Sequence, residues 1–211
     1  MQEQKQKIVN QLSVERFEAC RYHGEDDDRT LRRVRWNTAL SEALYTPLQG
    51  LEVSVRNSIH QAISSAFGSP DWILAHGTFL RPLEHDMIDS AKSQLEGRGK
   101  PITPGYMISE LKFGFWSSLF DTHYDNFWRK IIKQVFPAMP NAIRKRSELS
   151  RKINSVRKLR NAVSHHHSIW HWADLRLRHS EIYTLLDWIE PEFGSFIRSQ
   201  DRFLTVLDAG P

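Results

Sequence analysis

The stretch Arg157-Lys-Leu-Arg-Asn-Ala-Val-Ser-His165-His-His brings Arg160, Asn161 and His165 within about one and a half helical turns. A guanidinium holds phosphate oxygens through paired donors, and an imidazole with a pKa of about 6.5 both takes and gives a proton at neutral pH. Together they suit phosphate-ester chemistry. RNA carries its own nucleophile in the 2′-hydroxyl, so its cleavage needs only proton transfer and charge stabilisation. In such chemistry His165 acts on the 2′-hydroxyl or on the departing 5′-oxygen. Arg160 stabilises the charge on the phosphorane, and Asn161 orients the histidine or the phosphate.

The motif closes the most basic segment of the chain. From Arg144 to Arg160, eight Lys/Arg stand against one acid, Glu148, a local excess above the net charge of +4. Arg151, Lys152, Arg157 and Lys158 are the candidate contacts to an RNA backbone, the alternative being a solvated helix face. A second polar ridge, Glu52, Arg56 and His60, is spaced i, i+4 and i+8, with Asn57 after Arg56. It reads either as a second wall of the same cleft or as a surface Glu-Arg pair with an incidental histidine. His167 and His171 are four apart but lack a nearby acid or cysteine of the right kind, so neither a metal nor another cofactor is expected. Gly97-x-Gly99 lacks the continuation of a phosphate-binding loop. Phe113, Phe115, Trp116 and Phe120 can stack on bases, yet at helical spacing they read as core.

These residues must be positioned by helices. With 211 residues, 40% hydrophobic and 26% charged, the chain has the balance of one soluble globular core. Its apolar runs fall far short of the roughly 20 residues that span a bilayer, and Met1-Gln-Glu-Gln-Lys is unlike a secretory signal. The single Cys20 reads as a packing residue and excludes an internal disulfide or a cysteine-based zinc cluster. The expectation is a cytoplasmic protein without a membrane partner.

Apolar spacing predicts a short helix within 8–23, an acidic loop at Glu25–Asp28, and a helix over 30–67 with a break near Pro47. Leu44, Leu48, Leu51, Val55, Ile59 and Ala62 form one face of that helix. Ser69 and Pro70 mark a turn with a helix start, followed by a short aromatic-rich segment after Trp72. Further helices are expected over about 83–95, 124–136, 142–163, 172–189 and 193–207, with another start at Thr103-Pro104 after a Gly/Pro linker. Gly114 suggests a close helix contact or a kink. The fold class is all-α, six or seven helices on a single core, with residues 1–34 as an N-terminal helix and acidic loop and 35–211 as the main unit.

On the basic helix, Arg160 falls in the middle of the stripe Leu149, Ile153, Val156 and Val163, so it must find an acid or line a wet cleft. Asn161 and His165 share a face turned roughly 100 to 140° away. Aiming Arg160 and His165 at one phosphate therefore requires the helix to end near Ser164, or a second copy of the motif across a two-fold axis.

Arg160-Asn-Ala-Val-Ser-His165 fits the R-x-x-x-x-H signature of HEPN domains. Four phrases in order, Ser41-Glu-Ala-Leu-Tyr-x-Pro-Leu-Gln-Gly-Leu-Glu-Val-Ser-Val-Arg-Asn-Ser-Ile-His60, Leu111-x-Phe-Gly-Phe-Trp116, Ile153-x-x-x-Arg-Lys-Leu-Arg-Asn-x-Val-x-His-His166 and Trp188-Ile-x-Pro191, resemble the Abi-like family of bacterial abortive-infection proteins (AbiD/AbiF type). The resemblance covers about 35–191. It implies an α-helical HEPN fold, a homodimer with facing motifs, and metal-independent endoribonuclease activity. It also implies a role in phage defence or as a toxin with a neutralising antitoxin, protein or RNA. Family roles carry onto Arg160, Asn161 and His165, and in the earlier helix onto Glu52, Arg56 and Asn57. Where relatives follow the paired histidines with an acid and a proline, this chain has His167-Ser168, leaving that acid without a counterpart. A non-catalytic RNA-binding or regulatory module is the competing expectation.

Overall fold

A computed structural model describes residues 2–75 and 79–211. Among these residues the chain forms eleven α-helices, three short 3-10 helices and no strand. The all-α class is as expected, but eleven helices exceed the expected six or seven. The first expected helix is two, α1 (Gln2–Leu12) and α2 (Val14–Glu18), parted at Ser13, whose φ is 69°. The aromatic segment divides at Leu111-Lys112 into α5 (Pro104–Glu110) and α6 (Phe113–Ser118). The last expected helix divides into α10 (Pro191–Arg198) and α11 (Phe203–Ala209). These breaks are only one to four residues long, so apolar spacing runs across them unbroken. Residues 76–78, in the segment after Trp72, lie outside the described residues.

The central element is α3, 41 residues from Asp27 to Phe67. The acidic run supplies its start rather than a separate loop. Asp26 accepts from the Arg29 N–H at 2.8 Å, and Asp27 and Asp28 lie in the first turn, where carboxylates complement the helix dipole. The expected break at Pro47 does not occur. Leu40, Ala43 and Leu44 before the proline and Leu48 and Leu51 after it are all buried, and so is Pro47 itself. Burial on both sides outweighs the roughly 3 kcal/mol that an interior proline costs a helix. The helix ends at Gly68, whose φ of 69° suits the left-handed cap.

Around α3 pack α7 (Asp125–Val135), α8 (Arg146–Ser164), α9 (Leu175–Ile189), α6, α10 and α11. Another helix, α4 (Pro82–Gly97), packs on α5 and α6. The expected caps are present: Ser69 accepts from Asp71 N–H, and Thr103 from Tyr106 N–H. Phe113, Phe115, Trp116 and Phe120 are all buried, so the aromatic segment is core and offers no platform for bases. Gly114 is exposed, and a Cβ placed there would meet nothing within 4 Å. The expected close contact is therefore absent, and the chain bends just before it, at Leu111-Lys112.

The N-terminal segment is tied to the body. Ser168 Oγ and Trp170 Nε1 both donate to the Ala19 carbonyl, and the Arg33 guanidinium lies over the Trp170 ring. Cys20 is buried against Ser168, and burial raises its thiol pKa, in keeping with a packing role. No helix among the described residues is long and apolar enough to cross a membrane.

Candidate functional site

Where α8 crosses α3, a cleft of about 300 Å³ opens to solvent. From α3 it takes Tyr45, Gln49, Glu52 and Arg56, spaced by steps of four, three and four, and from α8 it takes Arg160, Val163 and Ser164. The conflict of an arginine in the apolar stripe of α8 is resolved here in both of the ways open to it. Arg160 Nε donates to Glu52 Oε2 at 3.3 Å, and the side chain keeps 31% of its surface exposed.

The neighbouring arginine is different. Glu52 turns to Arg160, which leaves Arg56 with no hydrogen-bond or ion-pair partner among the described residues, and its Nε is buried. The cleft thus holds two guanidiniums but one carboxylate, which Arg160 takes, so it carries a positive excess and free N–H donors. A buried unsatisfied donor costs about 1 to 3 kcal/mol until a partner reaches it. A phosphate is such a partner.

His165 and Asn161 stand outside this cleft. Helix α8 ends at Ser164, yet His165 does not swing toward Arg160. The end is a Schellman turn: His166 N–H donates to Val163 O at 3.1 Å and His167 N–H to Ala162 O at 2.8 Å. This turn puts His166, not a glycine, in the left-handed region at φ 57°. His165 is left exposed at the helix end, its ring 6.0 Å from that of His167. Asn161 is half-buried on the same face.

The other expected residues divide. Glu52 and Arg56 reach the cleft, while Asn57 and His60 do not. Each step of four residues drifts by about 40° around a helix, so His60 lies roughly 80° from Glu52. It accepts from Trp72 Nε1 at 3.0 Å, and burial lowers its pKa. Asn57 lines a separate groove on the adjacent face of α3.

The basic surface of α8 is also less free than its sequence suggests. Arg151 and Lys152 share Glu148 and the buried Glu181, which comes from α9. Arg157 donates to Asn154 Oδ1 at 3.2 and 3.3 Å. Lys158 is exposed, with no partner among the described residues. Sequence reading missed Tyr45, Gln49 and Ser164; extending the Glu52–Arg56 ridge back by three and seven residues would have found the first two.

Fold and cleft together define an all-helical protein with a cation-rich cleft at a helix crossing. The chain belongs to the Abi-like protein family, whose model matches residues 11–171. Membership implies a role in abortive infection. Neither the curated proteins nor the solved structures gave a match.

Proposed function

We propose that the protein is a metal-independent endoribonuclease of the HEPN type, acting as a homodimeric toxin in abortive infection or in a toxin-antitoxin pair. The observation that carries this reading is the α3–α8 cleft, where Arg160 and the unpartnered Arg56 offer more cation than Glu52 neutralises. An RNA phosphate seated there accepts from both guanidiniums.

His165 does not line the cleft of its own chain, so a second copy, related by a two-fold axis, brings its exposed His165 to the phosphate. The 2′-oxygen bonds to phosphorus as the P–O5′ bond breaks. The imidazole takes the 2′-hydroxyl proton or protonates the departing O5′, and Arg160 holds the charge gathering on the phosphorane oxygens. The products are a 2′,3′-cyclic phosphate and a 5′-hydroxyl. Asn161, four residues before His165 on the same face, orients the imidazole.

The test is cleavage of single-stranded RNA in the presence of chelator, with end-group analysis. Cyclic-phosphate ends from the wild type, and loss of cleavage in Arg160→Ala and His165→Ala, are expected; full activity in His165→Ala would overturn the reading. The Arg160–Glu52 pair favours one alternative, a non-catalytic RNA-binding module in which the arginine has a structural duty. Salt-dependent binding without cleavage would select it.

A further inference from the structure

Beside the arginine cleft, on the next face of α3, lies a larger groove of about 690 Å³ between α3, α7 and the junction of α9 with α10. Val53 borders both. The two spaces differ in chemistry. The groove is lined by no lysine or arginine, and its one charged lining residue is Glu190. Its floor includes Val135 and Ile189, its wall the half-buried Phe193, and its rim three exposed amides, Asn57, Gln61 and Gln134. Their side chains make no hydrogen bond among the described residues, so their donors and acceptors face solvent. Phe193 stacks on Phe196, which is 60% exposed and extends the aromatic surface.

We infer that this groove is a nucleobase subsite, seating an unpaired base of the RNA strand whose phosphate lies in the arginine cleft. The inference rests on the ribonuclease or RNA-binding reading and adds to it the source of base preference. A phosphate is disfavoured in the groove, because Glu190 repels it and no cation balances it. A base fits: its face packs on Phe193 and the apolar floor, and its edge meets amides that both give and accept hydrogen bonds. Glu190 accepts only, so it favours bases with N–H donors on their edge. Adjacency follows from helix geometry. Glu52 and Arg56 lie about 100° around α3 from Val53 and Asn57, so a phosphate wall and a base wall stand on adjacent faces of one helix.

Equilibrium binding of short single-stranded homo-oligonucleotides (A, C, G and U) with 2′-O-methyl riboses, which lack the attacking hydroxyl and so stay intact, to full-length protein tests this. Wild type is expected to separate its preferred base from the poorest by about tenfold or more, the discrimination typical of a good base contact. Gln61→Ala with Gln134→Ala, both on exposed positions, should bring that spread below threefold while keeping the salt slope. Arg56→Gln should weaken all four oligonucleotides alike and lower the salt slope by about one. A wild type without base preference, or a double variant that keeps it, would overturn the subsite and leave the arginine cleft standing. A wild type that binds none of the oligonucleotides would overturn the RNA reading and the subsite together.

Discussion

Two clusters in this molecule carry the residue types of catalysis, and their surroundings set them apart. On α9 and beyond it, His179 and Tyr183 both bond to Asp201 Oδ2, the histidine at 2.6 Å. The side chains of His179 and Asp201 are largely buried, and the imidazole stacks on Phe203 with ring centroids 4.6 Å apart. Asp201 Oδ1 also accepts from the Phe203 N–H at 2.7 Å, starting α11. Each donor has its acceptor, so the cluster is a clasp for the C-terminal helix. Burial pushes the Asp201 carboxyl up, but hydrogen bonds from His179, Tyr183 and the backbone outweigh it and leave the pKa below the ordinary 3.8. In the α3–α8 cleft, by contrast, charge is unbalanced and the Arg56 Nε has no acceptor among the described residues. Residue type alone would have favoured the first cluster. Partner satisfaction favours the second.

Removing one member from each cluster should have opposite effects. His165→Ala should lower RNA cleavage by about 100 to 10,000-fold while leaving the unfolding transition in place, as checked by cleavage assay and urea titration. Asp201→Ala should do the opposite, lowering unfolding free energy by about 3 to 5 kcal/mol because a buried, charge-bearing network loses its acceptor. Acid sharpens the contrast at a second buried site. Glu84 is held by Arg81 and Tyr124, and although burial alone would raise its carboxyl, those bonds hold it down to about 2. A carboxyl depressed on folding stabilises above its ordinary value of 4.5 and loses that contribution as pH falls toward 2. Glu84→Gln should therefore flatten the fall of stability between pH 4.5 and 2, read by denaturation across that range. The smallest effect is expected at His166→Gly, which relieves the left-handed strain at the end of α8 and should add about 1 kcal/mol in the same assay.

The sequence showed the all-α class, the apolar face of α3 and the caps at Ser69 and Thr103, because periodicity and capping are local signals. It overcounted interruption at Pro47, where burial on both sides decides, and undercounted helices, because one-residue breaks such as Ser13 leave the apolar spacing intact. In the site, the pairing of Arg160 with the Glu52 ridge was legible from two helical wheels. The drift of His60 by about 80° from Glu52 was legible from the same wheel, but its partner was not, since Trp72 meets it only once the chain turns back after α3. Nor could the sequence reveal that Glu181, 30 residues from Arg151, neutralises the basic face of α8. The His179–Asp201–Tyr183 clasp escaped for the same reason: its contacts form only when α10 folds the chain back.

In the proposed nuclease, the cleft of one copy is completed by His165 of another. Mixing inactive Arg160→Ala protein with inactive His165→Ala protein, under conditions that exchange subunits, tests it directly. Half of the resulting dimers are mixed, and each has one site with both residues intact, so RNA cleavage should return to about a quarter of the wild-type rate. No recovery above either variant alone, with exchange verified, would contradict the account.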